Sequence, residues 1–240
     1  MATQDSPDTI FYKSLDRFKI GLTDREREDF ELTSLDEVHT VVLEIQNEQA
    51  SERKMQDMTR RQSFLEGMEQ YSNVIEVFLD VSMFVAFVWG PVKFLLQVAK
   101  TWTDSLDLLL NAYEQVGETI PQLLQYDKLF SQNTAMQRVL GLIYQDILEF
   151  HRRALFVFKR RSWKRIFHST WKTFNTHFSR LLQNLHRHKI DIERQASLIE
   201  IEQSQAQRES QEKNSLLKKN SKGRGRQSRS LRRSPLQILI

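Results

Sequence analysis

The sequence predicts an all-α fold, an elongated multi-helix bundle with long helices and a disordered basic C-terminal tail. Three observations carry that reading. Only seven glycines and four prolines punctuate 240 residues, too few turn-makers for a many-stranded sheet. Apolar residues recur at helical spacing through most of the chain. Helix-start signals of the Ser/Thr-x-x-Glu type stand before two of the runs. The length leaves room for one sizeable core and a tail.

Residues 1–8 read as a loose end. Phe11, Leu15 and Phe18 then mark a short helix ending at Gly21. Thr23-Asp-Arg-Glu26 is a capping-box pattern, in which hydroxyl and carboxylate satisfy orphan amide donors. Ser34-Leu-Asp-Glu37 repeats it and opens a run through Leu35, Val38, Val42 and Ile45. This stretch grows polar through Glu52 to Arg61 and turns apolar again at Phe64, Leu65, Met68 and Tyr71.

Residues 74–98 are the most hydrophobic part of the chain. The uncharged stretch from Val81 to Val92 is twelve residues long, bracketed by Asp80 and Lys93, whereas a membrane span needs ~20. A buried helix hairpin broken at Gly90-Pro91 is the expectation, with Pro91 in the first turn of the second helix, where a missing N–H does no harm. That helix is read onward through Trp102, Leu106, Leu109, Leu110 and Tyr113 to about Gly117. Pro121 is read as the start of a short helix, and Thr134 as the start of a long one carrying Ile143, Ile147, Phe150 and Phe158. Ser162 is the candidate cap of the last helix. There Trp163, Phe167, Thr170, Phe174, Phe178, Leu181 and Leu185 form a bulky near-heptad stripe with Trp171 on its flank. The segments expected are 1–33 (short helices), 34–212 (the bundle) and 213–240 (the tail). No repeat of 20–50 residues is evident.

The net charge of +4 hides an asymmetry. Residues 1–149 hold 13 Lys+Arg against 25 Asp+Glu, while 150–190 hold 11 Lys+Arg and no acid. From 191 to 240 the count is 11 against 6, and the nine cations after Glu212 have no acid among them. Such a tail cannot bury enough apolar surface to fold alone. The chain has no cysteine, which removes disulfides, thiol nucleophiles and thiolate metal sites. No N-x-[ST] sequon and no N-terminal apolar h-region are present, and the expected location is the cytoplasm.

Enzyme signatures are sought first. Neither G-x-x-x-x-G-K-[ST], H-E-x-x-H nor G-x-S-x-G occurs. Five of the six histidines (His151, His168, His177, His186 and His188) fall within 151–188. His186 and His188 are two apart and diverge on a helix, and no carboxylate lies among the five in sequence, so solvated or aromatic-capping roles are expected and no metal is assigned. Asp104/Asp107 and Asp146/Glu149 have the spacing of acid–base pairs, yet such pairs are ordinary on helix surfaces, and Glu149 precedes Arg153 in ion-pair order. A catalytic reading would require one compact pocket holding Asp146, Glu149 and His151. No catalytic residue, cofactor or metal is assigned.

The basic stretch offers the candidate contact residues: Arg152, Arg153, Lys159, Arg160, Arg161, Lys164 and Arg165. They suit phosphate groups of lipid or nucleic acid, or they dock on the acidic N-terminal half while the interleaved aromatics enter the core. An aromatic stripe at helical spacing is ordinarily core. The tail is the candidate for non-specific attraction to polyanions.

One further signal is a resemblance. Trp89-Gly90-Pro91 with Phe94-Leu95-Leu96, Tyr113 leading to Ile120-Pro121, the run Tyr144-Gln-Asp-Ile-Leu-Glu-Phe-His-Arg-Arg-Ala154, and Trp163-Lys-Arg-Ile-Phe167 with Trp171, Leu185 and His188 carry it. From about Phe64 to Ala196 the chain resembles a helical domain of unknown function found before the NACHT module of fungal STAND (NLR-like) proteins. The resemblance implies a role in self/non-self recognition or programmed cell death. It departs at the NACHT module itself, since only the basic tail follows. The expected function is a non-enzymatic signalling or adaptor domain acting by contact with a protein partner or with itself. The rivals are a membrane-active cell-death effector, exposing 74–98 on an anionic membrane, and nucleic-acid binding through the tail. No small-molecule substrate is evident.

Overall fold

The computed structural model describes residues 7–52, 58–79, 83–120 and 123–230. Among them every regular element is helical. In chain order these are α1 (Pro7–Ile20), α2 (Asp24–Glu31), α3 (Leu35–Glu52), a 3₁₀ turn (Met58–Arg61), α4 (Gln62–Leu79), α5 (Met83–Ala99), α6 (Thr103–Thr119), a second 3₁₀ turn (Leu124–Tyr126), α7 (Asp127–Gln132), α8 (Thr134–Phe158) and α9 (Trp163–Ser230). The chain divides into two compact units, Met1–Arg194 and Gln195–Ile240.

Local chemistry sets several boundaries. Thr23 closes the full capping box ahead of α2: the Glu26 N–H donates to Oγ1 at 3.3 Å, and the Thr23 N–H donates to Glu26 Oε2 at 2.8 Å. At α3 only half of the box forms. The Glu37 N–H donates to Ser34 Oγ at 3.4 Å, while the Glu37 carboxylate pairs with Lys93 instead. Asn133, a cap the sequence reading passed over, accepts the Met136 N–H at 3.0 Å and opens α8. Ser162 does precede α9, and its carbonyl accepts from Arg165 and Ile166.

Two expectations about 74–98 are corrected. Pro91 lies inside α5 and opens no new helix. An interior proline costs about 3 kcal/mol, but Phe87, Val88, Trp89, Val92, Leu95 and Leu96 are all buried on either side of it, and burying one such side chain is worth about 1.5–3 kcal/mol. Tertiary packing wins. Gly90 is there for space, because a Cβ at that position would lie 2.6 Å from the Cα of Phe30 on α2. The second correction concerns the helix expected to run to Gly117. It ends at Ala99, and α6 starts at Thr103. Ser105 holds that corner, its hydroxyl donating to Trp102 O at 2.7 Å and lying 3.0 Å from Ala99 O. The expected helix start at Pro121 lies outside the described residues.

In the first unit α8 is the central element. It packs against α1, α5 and α7, while α4 packs against α6 and α2 and α3 pack against α5. The α4–α6 crossing is close at Gly117, where a Cβ would meet the Phe64 N at 2.2 Å. Two buried tyrosines fasten neighbouring helices: Tyr71 donates to Leu140 O at 2.7 Å and Tyr144 to Phe84 O at 2.9 Å. Burial holds both phenols well above their ordinary pKa, so they remain donors. The aromatic stripe of α9 faces the core, as its helical spacing led one to expect: Trp163, Phe167, Trp171, Phe174, Phe178, Leu181 and Leu185 are buried. Phe174 and Phe178 meet Phe150 of α8 at 5.8 and 5.6 Å.

The second unit is different. From Glu200 to Leu216 every residue is exposed. The tail expected to be irregular from 213 is helical backbone as far as Ser230, where no proline interrupts it. The division between the units falls at 194/195 instead of the compositional shift at 212/213, because burial ends just beyond it, at Ala196.

Candidate contact surface at the junction of α8 and α9

The seven candidate cations sit on the last turns of α8, the turn after it and the first turn of α9. They fall into two groups. Arg152 forms a two-pronged pair with Glu149 (Nε–Oε2 2.6 Å, Nη2–Oε1 2.7 Å), and Arg153 reaches the same carboxylate. Burial works to raise the Glu149 pKa, but the hydrogen bonds and charges of the two guanidiniums outweigh it and hold the carboxyl below its ordinary value. Lys159 pairs with Glu26 at 2.7 Å. There too burial pushes upward, and the bonds from Lys159 and Thr23 bring the Glu26 carboxyl below its usual range. Lys164 donates to Thr101 O at 3.1 Å, tying α9 to the α5–α6 corner. Lys159 and Lys164 therefore reach across to other elements, whereas Arg152 and Arg153 pair within α8 itself; of the four, Lys159 meets an acid of the N-terminal helices.

Arg160, Arg161 and Arg165 form the second group. All three are exposed, and none of their guanidiniums makes an ion pair or hydrogen bond among the described residues. The Arg160 guanidinium lies 4.1 Å over the ring of Phe156, which is itself 58 % exposed. A shallow groove of about 260 Å³ runs beside Phe156 between α8 and α9, with Val157 and Phe174 on its floor and Arg152, Arg153 and His177 on its rim.

The histidines separate. His168, His177 and His186 are exposed, and His168 stands edge-on to Trp102 at 5.3 Å. His188 meets a carboxylate that the sequence reading did not place with it, Asp146, at 3.2 Å, and Asn184 approaches the other oxygen at 3.5 Å. Sequence spacing is blind to that contact, because 42 positions separate the pair and the approach of α9 to α8 makes it.

His151 departs furthest from its expected solvated or capping role. It is fully buried, beside Phe64, Tyr113 and Phe150. Neither ring nitrogen finds a hydrogen-bond partner among the described residues, and nor does the Tyr113 hydroxyl. Burial lowers the His151 pKa from 6.5 to about 3, so the imidazole is neutral. Asp146 and Glu149 instead line a groove of about 500 Å³ with Arg17 and Phe18 of α1. The three residues that a catalytic reading required are therefore not gathered in one pocket. Among the described residues no group of three His, Cys, Asp or Glu is placed to hold a metal ion, and no helix is long and apolar enough to cross a membrane.

Comparison with known families finds a match over much of the first unit. Residues 60–204 match a family whose description is a domain of unknown function, DUF7708. The chain belongs to the DUF7708 family. The match runs from the end of the first 3₁₀ turn through α4–α8 and into α9, so it contains the α8–α9 junction and His151. The helices α1–α3, which supply Glu26 to the junction, precede it. No match is found among the curated proteins or among the solved structures.

Proposed function

We propose that this DUF7708 chain is a non-enzymatic, cytoplasmic adaptor domain of a NACHT/STAND (NLR-like) system, acting by protein–protein contact through the α8–α9 junction. The observation that carries the proposal is the split among the junction cations. Four are consumed by intramolecular partners, whereas the side chains of Arg160, Arg161 and Arg165 stand exposed, Arg160 over the exposed ring of Phe156. An aromatic ring and several unsatisfied guanidiniums are the residue types that dominate protein interfaces. The NACHT context rests on the sequence resemblance, and the family match covers the same stretch.

The test is co-purification with a NACHT-bearing receptor co-expressed from the same genome. The triple variant Arg160→Glu/Arg161→Glu/Arg165→Glu should lose association at least tenfold, about 1.4 kcal/mol, with an unchanged far-UV spectrum and melting temperature. Equal association by the variant refutes the junction as the contact. The exposed Phe156–Arg160 pair also suits an anionic membrane surface, so co-sedimentation with phosphatidylserine vesicles at low salt is the second arm. Vesicle binding that the same variant abolishes, without any receptor association, favours the membrane-active reading. Salt-sensitive binding of an oligonucleotide that is lost on deleting 213–240 would favour nucleic-acid binding by the tail.

A further inference from the structure

Between Glu200 and Leu216 the helix of the second unit has nothing over it among the described residues. Side chains from Glu200 to Leu216 are all exposed, and long helices in water draw most of their stability from packing one face. Leu198, Ile201 and Leu216 are 46 %, 54 % and 54 % exposed. At about 100° per residue, these three share an arc of about 80° with Gln205, Arg208 and Glu212. The helix thus keeps one narrow apolar-edged stripe turned to solvent.

Charge is segregated along the same helix. Residues 195–212 carry four acids and one arginine, whereas 213–230 carry seven Lys+Arg and no acid. We propose that this segment pairs with the same segment of a second copy of the chain, antiparallel. With Ile201 set against Leu216, that arrangement places 195–204, which hold Glu200 and Glu202, opposite 213–222, which hold four lysines, at both ends at once, whereas a parallel pair sets like on like throughout. Placing Ile201 against Leu216 of the second copy brings Arg208 opposite Glu209 of that copy, twice by symmetry. An extended polyanion is less well matched, because the acidic half of the helix repels it. The proposal goes beyond the adaptor reading and stands apart from it, since the junction residues take no part.

Sedimentation equilibrium of the full chain at low salt tests it. A concentration-dependent dimer is expected, weakened roughly tenfold when salt rises from about 0.05 to 0.5 M, and roughly tenfold or more by Ile201→Asp/Leu216→Asp. Direction is read by disulfide trapping, which the absence of native cysteine keeps clean. Arg208→Cys lies near the two-fold axis and should cross-link readily. Leu198→Cys lies about 30 Å from its mate in the antiparallel pair and should not. A monomer at every concentration overturns the proposal, as do equal yields from the two cysteine variants. A chain that stays monomeric yet binds a duplex oligonucleotide through 213–230 likewise assigns the helix to nucleic acid and sinks the dimer.

Discussion

Trp163–Leu185 and Glu200–Leu216 belong to one helix and stand in opposite relation to water. The first stretch buries Trp163, Phe167, Trp171, Phe174, Phe178, Leu181 and Leu185, and the second buries nothing. Backbone geometry is the same in both. Side-chain volume on one face decides which stretch joins a core, and hydrogen-bonded turns by themselves confer little stability in water. The same substitution should therefore have very different consequences in the two places.

The largest effect is expected at Phe174, which stacks on Trp171 at 4.4 Å and meets Phe150 at 5.8 Å. Phe174→Ala should cost about 3–5 kcal/mol in urea unfolding. A loss below about 1 kcal/mol would show that α9 is dispensable to the core. Next is Gly117→Ala, where the added methyl group meets backbone atoms of Ser63 and Phe64 inside 2.5 Å. Prising α4 from α6 should cost about 3 kcal/mol.

His151 gives a pH-dependent version of the comparison. Its folded pKa, about 3, lies below the ordinary 6.5. Between those values the unfolded chain binds a proton that the folded chain does not, so this residue's contribution is whole above pH 6.5 and lost as pH falls toward 3. The slope from this one group reaches about 1.4 kcal/mol per pH unit. His151→Leu should leave pH 7 stability equal or higher, since it removes two unpartnered nitrogens from the interior. It should also flatten the acid limb of a stability-versus-pH series, and an unchanged limb would place the titration elsewhere.

Smaller is the loss of the α2 cap. Thr23→Ala should cost about 1 kcal/mol by thermal melting. Smallest of all, Ile201→Ser should leave the melting of the bundle, followed at protein concentrations where the chain is monomeric, unchanged to within about 0.5 kcal/mol. A larger change there would mean that the distal stretch is not open to water, and the contrast within α9 would disappear.

The all-helical architecture was legible in the sequence because it rests on local signals. Thr23/Glu26 and Ser34 start helices through bonds three residues long, and the stripe from Trp163 to Leu185 follows helical spacing. Pro91 misled, since the local cost of an interior proline is real and only the packing of both halves of α5 offsets it. The candidate site was half legible. Sequence located the cations but could not sort them, as their partners Glu26 and Thr101 lie 133 and 63 positions away from Lys159 and Lys164. Contact with Asp146 was invisible in the spacing of His188, and the depth of His151 was hidden because a histidine among arginines looks solvated.

The aromatic corner where α9 meets α6 and α8 also sets how folding of this chain reports itself in light. Trp102, Trp163 and Trp171 lie around Phe167, each with its ring centroid within 6 Å of that ring, while Trp89 stands on α5 outside that group. Three of the four tryptophans therefore report on this corner. A chain carrying Trp89 alone and one lacking only Trp89 would report on two places, and coincident unfolding curves from the two would establish that the bundle melts as a single cooperative unit.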